Sequence, residues 1–111
     1  MFLKQSDQTI FYAIEKAIKS YRRYAQMELK KICEDLTIDQ LLVLGKMEAH
    51  PTISHLKLSE LIFKDMASIS RMLTALEKKG YIKRTLDSEN RRRFNTKITN
   101  KGKEVLAKLK P

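Results

Sequence analysis

Three arginines stand side by side, Arg91, Arg92 and Arg93, within the stretch TLDSENRRRFNTKIT. Adjacent cations repel, so folding alone does not ask for them; a polyanion does. Few other side chains offer chemistry. His50 and His55 are separated by a proline, and Cys33 lies far upstream. Zinc needs several ligands converging on one point, so neither a metal site nor a cofactor is expected. Cys33 has no base at an activating distance in sequence. Its simplest role is a small buried hydrophobe, with a redox-sensing thiol beside Lys30 and Lys31 as the alternative. Gly45, Gly80 and Gly102 are too dispersed to cradle a phosphate. Asp65 and Glu77 have simpler uses in capping and surface pairing. No enzyme is expected, and anion binding is the chemistry that remains.

The distribution of charge supports that reading. Residues 1–60 carry nine Lys or Arg against eight Asp or Glu, a balance of +1. Residues 61–111 carry fourteen against five, a balance of +9. The positive field therefore belongs to the second half, which suits a nucleic acid. The hydrophobic content of 42% suffices for one small domain, residues 1–111, with a modest core. No apolar run approaches a membrane span, and no signal peptide is recognisable. A single cysteine fits a reducing compartment, so a cytoplasmic protein is expected.

The elements that must position these cations follow from periodicity. Residues 1–35 read as a long helix, from about Asp7 to Glu34 with Ser6 as its cap. Ile10, Ile14, Ala17, Ile18, Tyr21, Ala25, Leu29 and Ile32 form one apolar stripe along it. So long a stripe in so small a domain suggests a scaffold or a dimer contact. Thr37 and Gln40 have the spacing of a capping box, opening a second helix that Pro51 stops. A third helix covers about His55 to Phe63, with Leu58, Leu61 and Ile62 pointing inward.

The fourth helix, KDMASISRMLTALEKKG, is the most informative. Asp65 caps it and Gly80 ends it. Met66, Ile69, Leu73 and Leu76 make its inner face. Ala67, Arg71, Thr74 and Lys78 make an outer face that is small at the start and polar or basic along its length. Together with Ser68 and Ser70, those residues suit a helix inserted into a major groove. Residues 81–86 and 94–98 alternate as two strands joined by turn chemistry at Asp87–Asn90. Arg91, Arg92 and Arg93 fall near the tip of that hairpin, with Lys83 and Arg84 on the adjacent strand. Thr99 caps a last short helix within residues 99–111, where Val105, Leu106 and Leu109 point inward. The fold class is mainly α with a small β-hairpin, a winged helix–turn–helix. Its core is residues 36–98 and its wing residues 81–98.

From Leu36 to Leu109 the chain resembles the MarR family of bacterial transcription regulators. The likeness rests on Leu36-Thr37-Ile38-Asp39-Gln40 with Leu44, on Leu58-Ser59-Glu60 through Asp65, and on Ser68-Ile69-Ser70-Arg71-Met72-Leu73. It continues in Leu76-Glu77-Lys78-Lys79-Gly80-Tyr81-Ile82 and Ile98-Thr99-Asn100-Lys101-Gly102. Many winged helices share each phrase; their order and spacing together are specific. The resemblance implies a homodimer on a pseudo-palindromic operator of double-stranded DNA, most often a repressor, with a small-molecule effector or oxidation as the releasing signal. It implies DNA contacts from Ala67, Ser68, Ser70, Arg71, Thr74 and Lys78, and from Lys83, Arg84, Arg91, Arg92 and Arg93 on the wing. Arg92 matches the arginine that enters the minor groove.

Three departures stand out. Asn90 replaces the Asp usually found two residues before the wing arginine. Phe63 occupies a position where a turn glycine is common. The family's long final helix, which supplies much of its dimer interface, has no counterpart before Pro111. Ile10, Ile14, Ile18, Tyr21, Leu106 and Leu109 are the expected dimer contacts that remain. The alternative function is a winged-helix module that binds protein rather than DNA.

Overall fold

The computed structural model describes residues 9–86, 89 and 94–109. The element order is α1 (Ile10–Ile32), α2 (Ile38–Ala49), α3 (His55–Leu61), α4 (Met66–Lys78), β1 (Ile82–Leu86), β2 (Phe94–Ile98) and α5 (Asn100–Leu109). Among the described residues, these helices with one antiparallel hairpin are the winged helix–turn–helix arrangement. The chain divides into two compact units, Met1–Ile38 and Asp39–Pro111.

In the first unit, α1 begins later than its periodicity suggested. Thr9 is its N-cap, its hydroxyl accepting from the Tyr12 N–H at 3.2 Å. Ser6 and Asp7, the expected cap and first turn, lie outside the described residues. The apolar stripe is present; Leu29 near its end is buried, and its earlier isoleucines and Tyr21 are uncovered. Ile10 and Tyr21 are each 69% exposed, and Ile14 and Ile18 about half exposed. The helix ends at its cap Cys33, and the Gln26 amide from within it holds the segment that leads to α2. Its Nε2 donates to the Leu36 carbonyl and its Oε1 accepts from the Ile38 N–H, both at 3.1 Å. One side chain thereby satisfies a carbonyl before α2 and an orphan donor in its first turn.

The second unit holds its core between four helices and the base of the hairpin. Val43 and Leu44 from α2 are fully buried, as are Ile69, Leu73 and Leu76 from α4. Leu58, Ile62, Tyr81 and Ile82 join them. Burial of side chains of this size stabilises by roughly 1.5–3 kcal/mol each before entropy is subtracted. Met66, expected inside, is 47% exposed. It follows the cap directly, and the first turn of α4 stands clear of the core before the helix crosses it. Leu61 is only half-buried. Gln40 is buried, and its Oε1 accepts from Lys79 Nζ at 3.1 Å.

The ends of α3 and α4 share one device. After α4, the Tyr81 N–H returns to the Leu76 carbonyl and the Gly80 N–H to the Glu77 carbonyl. This is a Schellman motif with Gly80 at φ +86°. After α3, the Lys64 N–H returns to the Ser59 carbonyl, and Phe63 occupies the corresponding left-handed position at φ +60°. A bulky residue there costs about 1–3 kcal/mol, which glycine avoids.

The strands pair antiparallel, with Ile82 opposite Ile98, Lys83 opposite Lys97, Arg84 opposite Thr96 and Leu86 opposite Phe94. Tyr81, expected within the first strand, instead lies in the bend before it. The hairpin base is tied to α5 through Thr99. Its N–H donates to the Tyr81 carbonyl at 3.0 Å, and its hydroxyl donates to the Gly80 carbonyl at 2.6 Å. The same oxygen accepts from the Gly102 N–H at 3.2 Å, capping α5. Lys101 spans the junction, with Nζ 2.7 Å from the Lys79 carbonyl and 4.5 Å from the Tyr81 ring centroid. Gly102 is required by contact: a Cβ there would stand 2.5 Å from the Tyr81 carbonyl oxygen.

Candidate nucleic-acid interface

Helix α4 carries the candidate reading surface. Asp65 caps it, its Oδ1 accepting from the Ser68 N–H at 2.6 Å. That hydrogen bond holds the Asp65 carboxyl below its ordinary pKa, with Arg71 and Lys64 adding a smaller effect. Because Ile69, Leu73 and Leu76 are pinned inside, the opposite face is fixed outward. Ala67, Ser70, Arg71, Thr74 and Lys78 are all exposed, and Ser68 is half-buried. Arg71 Nη2 donates to Ser68 Oγ at 3.1 Å, which lays the guanidinium along the first turns. Thr74 Oγ1 donates to the Ser70 carbonyl at 3.0 Å.

The wing is bolted to this helix by one residue pair. Glu77 Oε1 accepts from Arg84 Nε at 3.1 Å and from Nη2 at 2.9 Å, while Oε2 accepts from the Arg84 N–H at 3.1 Å. Arg84 Nη2 also reaches Thr74 Oγ1 at 3.3 Å. These bonds hold the Glu77 carboxyl below its ordinary pKa. The Arg84 side chain is only 17% exposed. Arg84, expected as a DNA contact, is engaged within the chain in aligning β1 with α4. His55 lies close enough to feel that cation. Burial, and then the Arg84 charge, lower its pKa.

Lys83 does face outward, and Lys97, which the sequence pattern alone did not single out, stands directly across the ladder from it. Both are exposed. Like charges directly opposed across two strands destabilise a hairpin unless an anion lies over them. The signal for Lys97 is the register itself, available only once Ile82 is known to pair with Ile98. Arg91, Arg92 and Arg93 lie outside the described residues. Of the expected dimer contacts, the α1 residues are exposed, whereas Leu106 is buried and Leu109 half-buried. Leu106 therefore serves the interior of the chain. Cys33 Sγ donates to Asp35 Oδ1 at 3.2 Å. Among the described residues no group of His, Cys, Asp and Glu could hold a metal ion. None of their helices is long and apolar enough to cross a membrane.

The sequence and the fold are both shared with known proteins. The model of the MarR family matches residues 36–94, more than half of the chain. The chain belongs to the MarR family. Among MarR-type relatives, the HTH-type transcriptional regulator SarZ of Staphylococcus aureus is 33% identical over 101 residues. That match covers 90% of this chain, which spans 64% of the relative's length. Among solved structures, the transcriptional regulator SlyA superposes with a TM-score of 0.80 at 28% identity, over 92% of this chain and 70% of that one. MepR of S. aureus, solved as a complex with DNA, has a TM-score of 0.79 at 22% identity, over 92% of this chain and 73% of that one, and shows the shared fold. The matched MarR segment, residues 36–94, contains α2, α3, α4 and β1.

Proposed function

We propose that the chain is a sequence-specific regulator of transcription that binds double-stranded DNA as a homodimer and represses from a pseudo-palindromic operator. The observation that carries this reading is the outward face of α4. Ala67, Ser70, Arg71, Thr74 and Lys78 are exposed on a helix whose Ile69, Leu73 and Leu76 are fully buried. Small residues at the start allow close approach to base edges, and Arg71 can reach a guanine. The opposed Lys83 and Lys97 supply phosphate contacts beside it, and Arg91, Arg92 and Arg93 extend them, with Arg92 entering the minor groove. The DNA complex of MepR and the regulatory role of SarZ support the same reading.

The uncovered stripe of α1 supports self-association. A two-fold dimer would present equivalent α4 helices about 34–36 Å apart, one turn of DNA. A small-molecule effector would find room in a cavity of about 1080 Å³ bounded by Met47, Ile53, Leu58, Leu73, Thr96 and Ile98. The Thr96 hydroxyl is buried there, and among the described residues it has no hydrogen-bond partner.

The test is selection of duplexes from a random library, followed by binding of the enriched sequence and a shuffled control over a range of salt. The enriched sequence should be pseudo-palindromic. Replacing Arg71 by Ala should cost about 1–3 kcal/mol and relax preference at one position in each half. Placing the selected site across a promoter should lower transcription in vitro. If no sequence is enriched, the protein-binding alternative takes over.

A further inference from the structure

We infer that Phe63 is a DNA-contacting residue, its ring lying against a thymine C5-methyl at the edge of the major groove. The inference rests on the DNA-binding reading of α4 and adds to it a contact from the turn before the helix. Two independent observations point to it. Phe63 holds the left-handed C′ position of a Schellman motif, at φ +60°, the only described non-glycine residue with positive φ. It is also 91% exposed, so the chain itself covers almost none of the ring. Backbone strain and an uncovered aromatic ring at one residue are both unfavourable in the free chain. Each would be removed by glycine, the usual residue at such a position.

The surroundings specify the occupant. Phe63 lies two residues before the cap of α4, at the same end as the exposed Ala67 and the half-exposed Met66. Two cations stand at this end of the helix. Lys64, the residue after Phe63, and Arg71 line one shallow depression with Ser68 and Asp39, whose carboxylate pairs with Lys64 Nζ at 3.4 Å. An exposed aromatic ring just before the outward-facing start of α4, with Arg71 on the same helix, suits a groove wall, where thymine methyls lie between phosphates. Phe is among the side chains that make such methyl contacts. A second copy of the chain would be matched less well, because this unit is strongly cationic and would repel itself.

Two variants separate ring from backbone. Phe63→Gly removes ring and strain together; Phe63→Ala removes the ring and keeps the left-handed cost. The glycine variant should melt at a higher temperature than the alanine variant. Both should bind the selected duplex about tenfold more weakly than the native chain. Replacing thymine by uracil, one position at a time, should reproduce a loss of that size in the native chain at one position per half. In either variant the same replacement should cost nothing further. Full affinity in both variants would overturn the inference while leaving the regulator reading intact. So would a loss confined to Phe63→Ala, which would assign the effect to the backbone. Lost self-association with unchanged DNA binding would hand the ring to a second copy and overturn it too. A native chain that binds no duplex would overturn the regulator reading first, and this one with it.

Discussion

Glu77 and Arg84 meet through three hydrogen bonds, two from the guanidinium to one carboxylate oxygen and one from the Arg84 backbone to the other. The contact joins the last turn of α4 to the third residue of β1. The pair fixes the start of the wing against α4, and most of the Arg84 side chain is covered.

Lys83 and Arg84 should respond differently to truncation. Lys83→Ala should weaken binding on all sequences and lower the salt slope by about one, the signature of a phosphate contact. Arg84→Ala should leave the slope nearly unchanged and lower the melting temperature. Anisotropy titrations over a range of salt, with a thermal melt of each variant, separate the two.

The pair also sets an acid limit. The Glu77 pKa is lowered on folding, mainly by the Arg84 side chain. Its contribution to stability is therefore complete above the unfolded carboxylate value, about 4.3, and is lost as pH falls through the lower folded value. Glu77→Gln should be less stable than the native chain at neutral pH. The gap should narrow below about pH 4, as read by denaturant unfolding in a pH series.

His55 shifts in the same direction for a different reason, burial followed by the Arg84 charge. Its proton binds more readily to the unfolded chain. Stability is full above about pH 6.5 and declines as pH falls through the folded value. His55→Gln should flatten the unfolding midpoint between about pH 5 and 7.

Gly102→Ala should destabilise by about 1–3 kcal/mol, the usual cost of overpacking. The new methyl would meet the Tyr81 carbonyl at 2.5 Å and the Ile98 side chain at 2.6 Å. Backbone cannot yield as a flexible side chain can. Gly45→Ala, where nothing lies within 4 Å of the new methyl, is the control and should not destabilise the chain. Calorimetry of the two variants decides.

Ile14 lies mid-stripe on α1 and is 52% exposed. Ile14→Glu should preserve helix content and convert a dimer to a monomer in sedimentation at micromolar concentration. A native chain that sediments as a monomer on and off DNA would exclude the two-fold arrangement.

The sequence by itself determined the local devices. Asp65 before α4, Gly80 after it and Thr99 before α5 act within a few residues along the chain, so their chemistry is legible from spacing. The phrases around Gly80-Tyr81 and Thr99 to Gly102 carried the family likeness, and they form the hydrogen-bonded base of the wing. The inner and outer faces of α4 followed from a period of 3.6 residues, apart from Met66 in its first turn. Only the tertiary structure decided which cations are free. Arg84 looked equivalent to Lys83 until the strand alternation turned it toward Glu77, and Lys97 mattered only once the register set it opposite Lys83. Leu106 belonged to the interior, and Phe63 kept the left-handed turn that glycine usually makes. These outcomes depend on register, facing and closure between segments distant in sequence. Local spacing cannot encode them, because a side chain's free charge and exposed area depend on what folds against it.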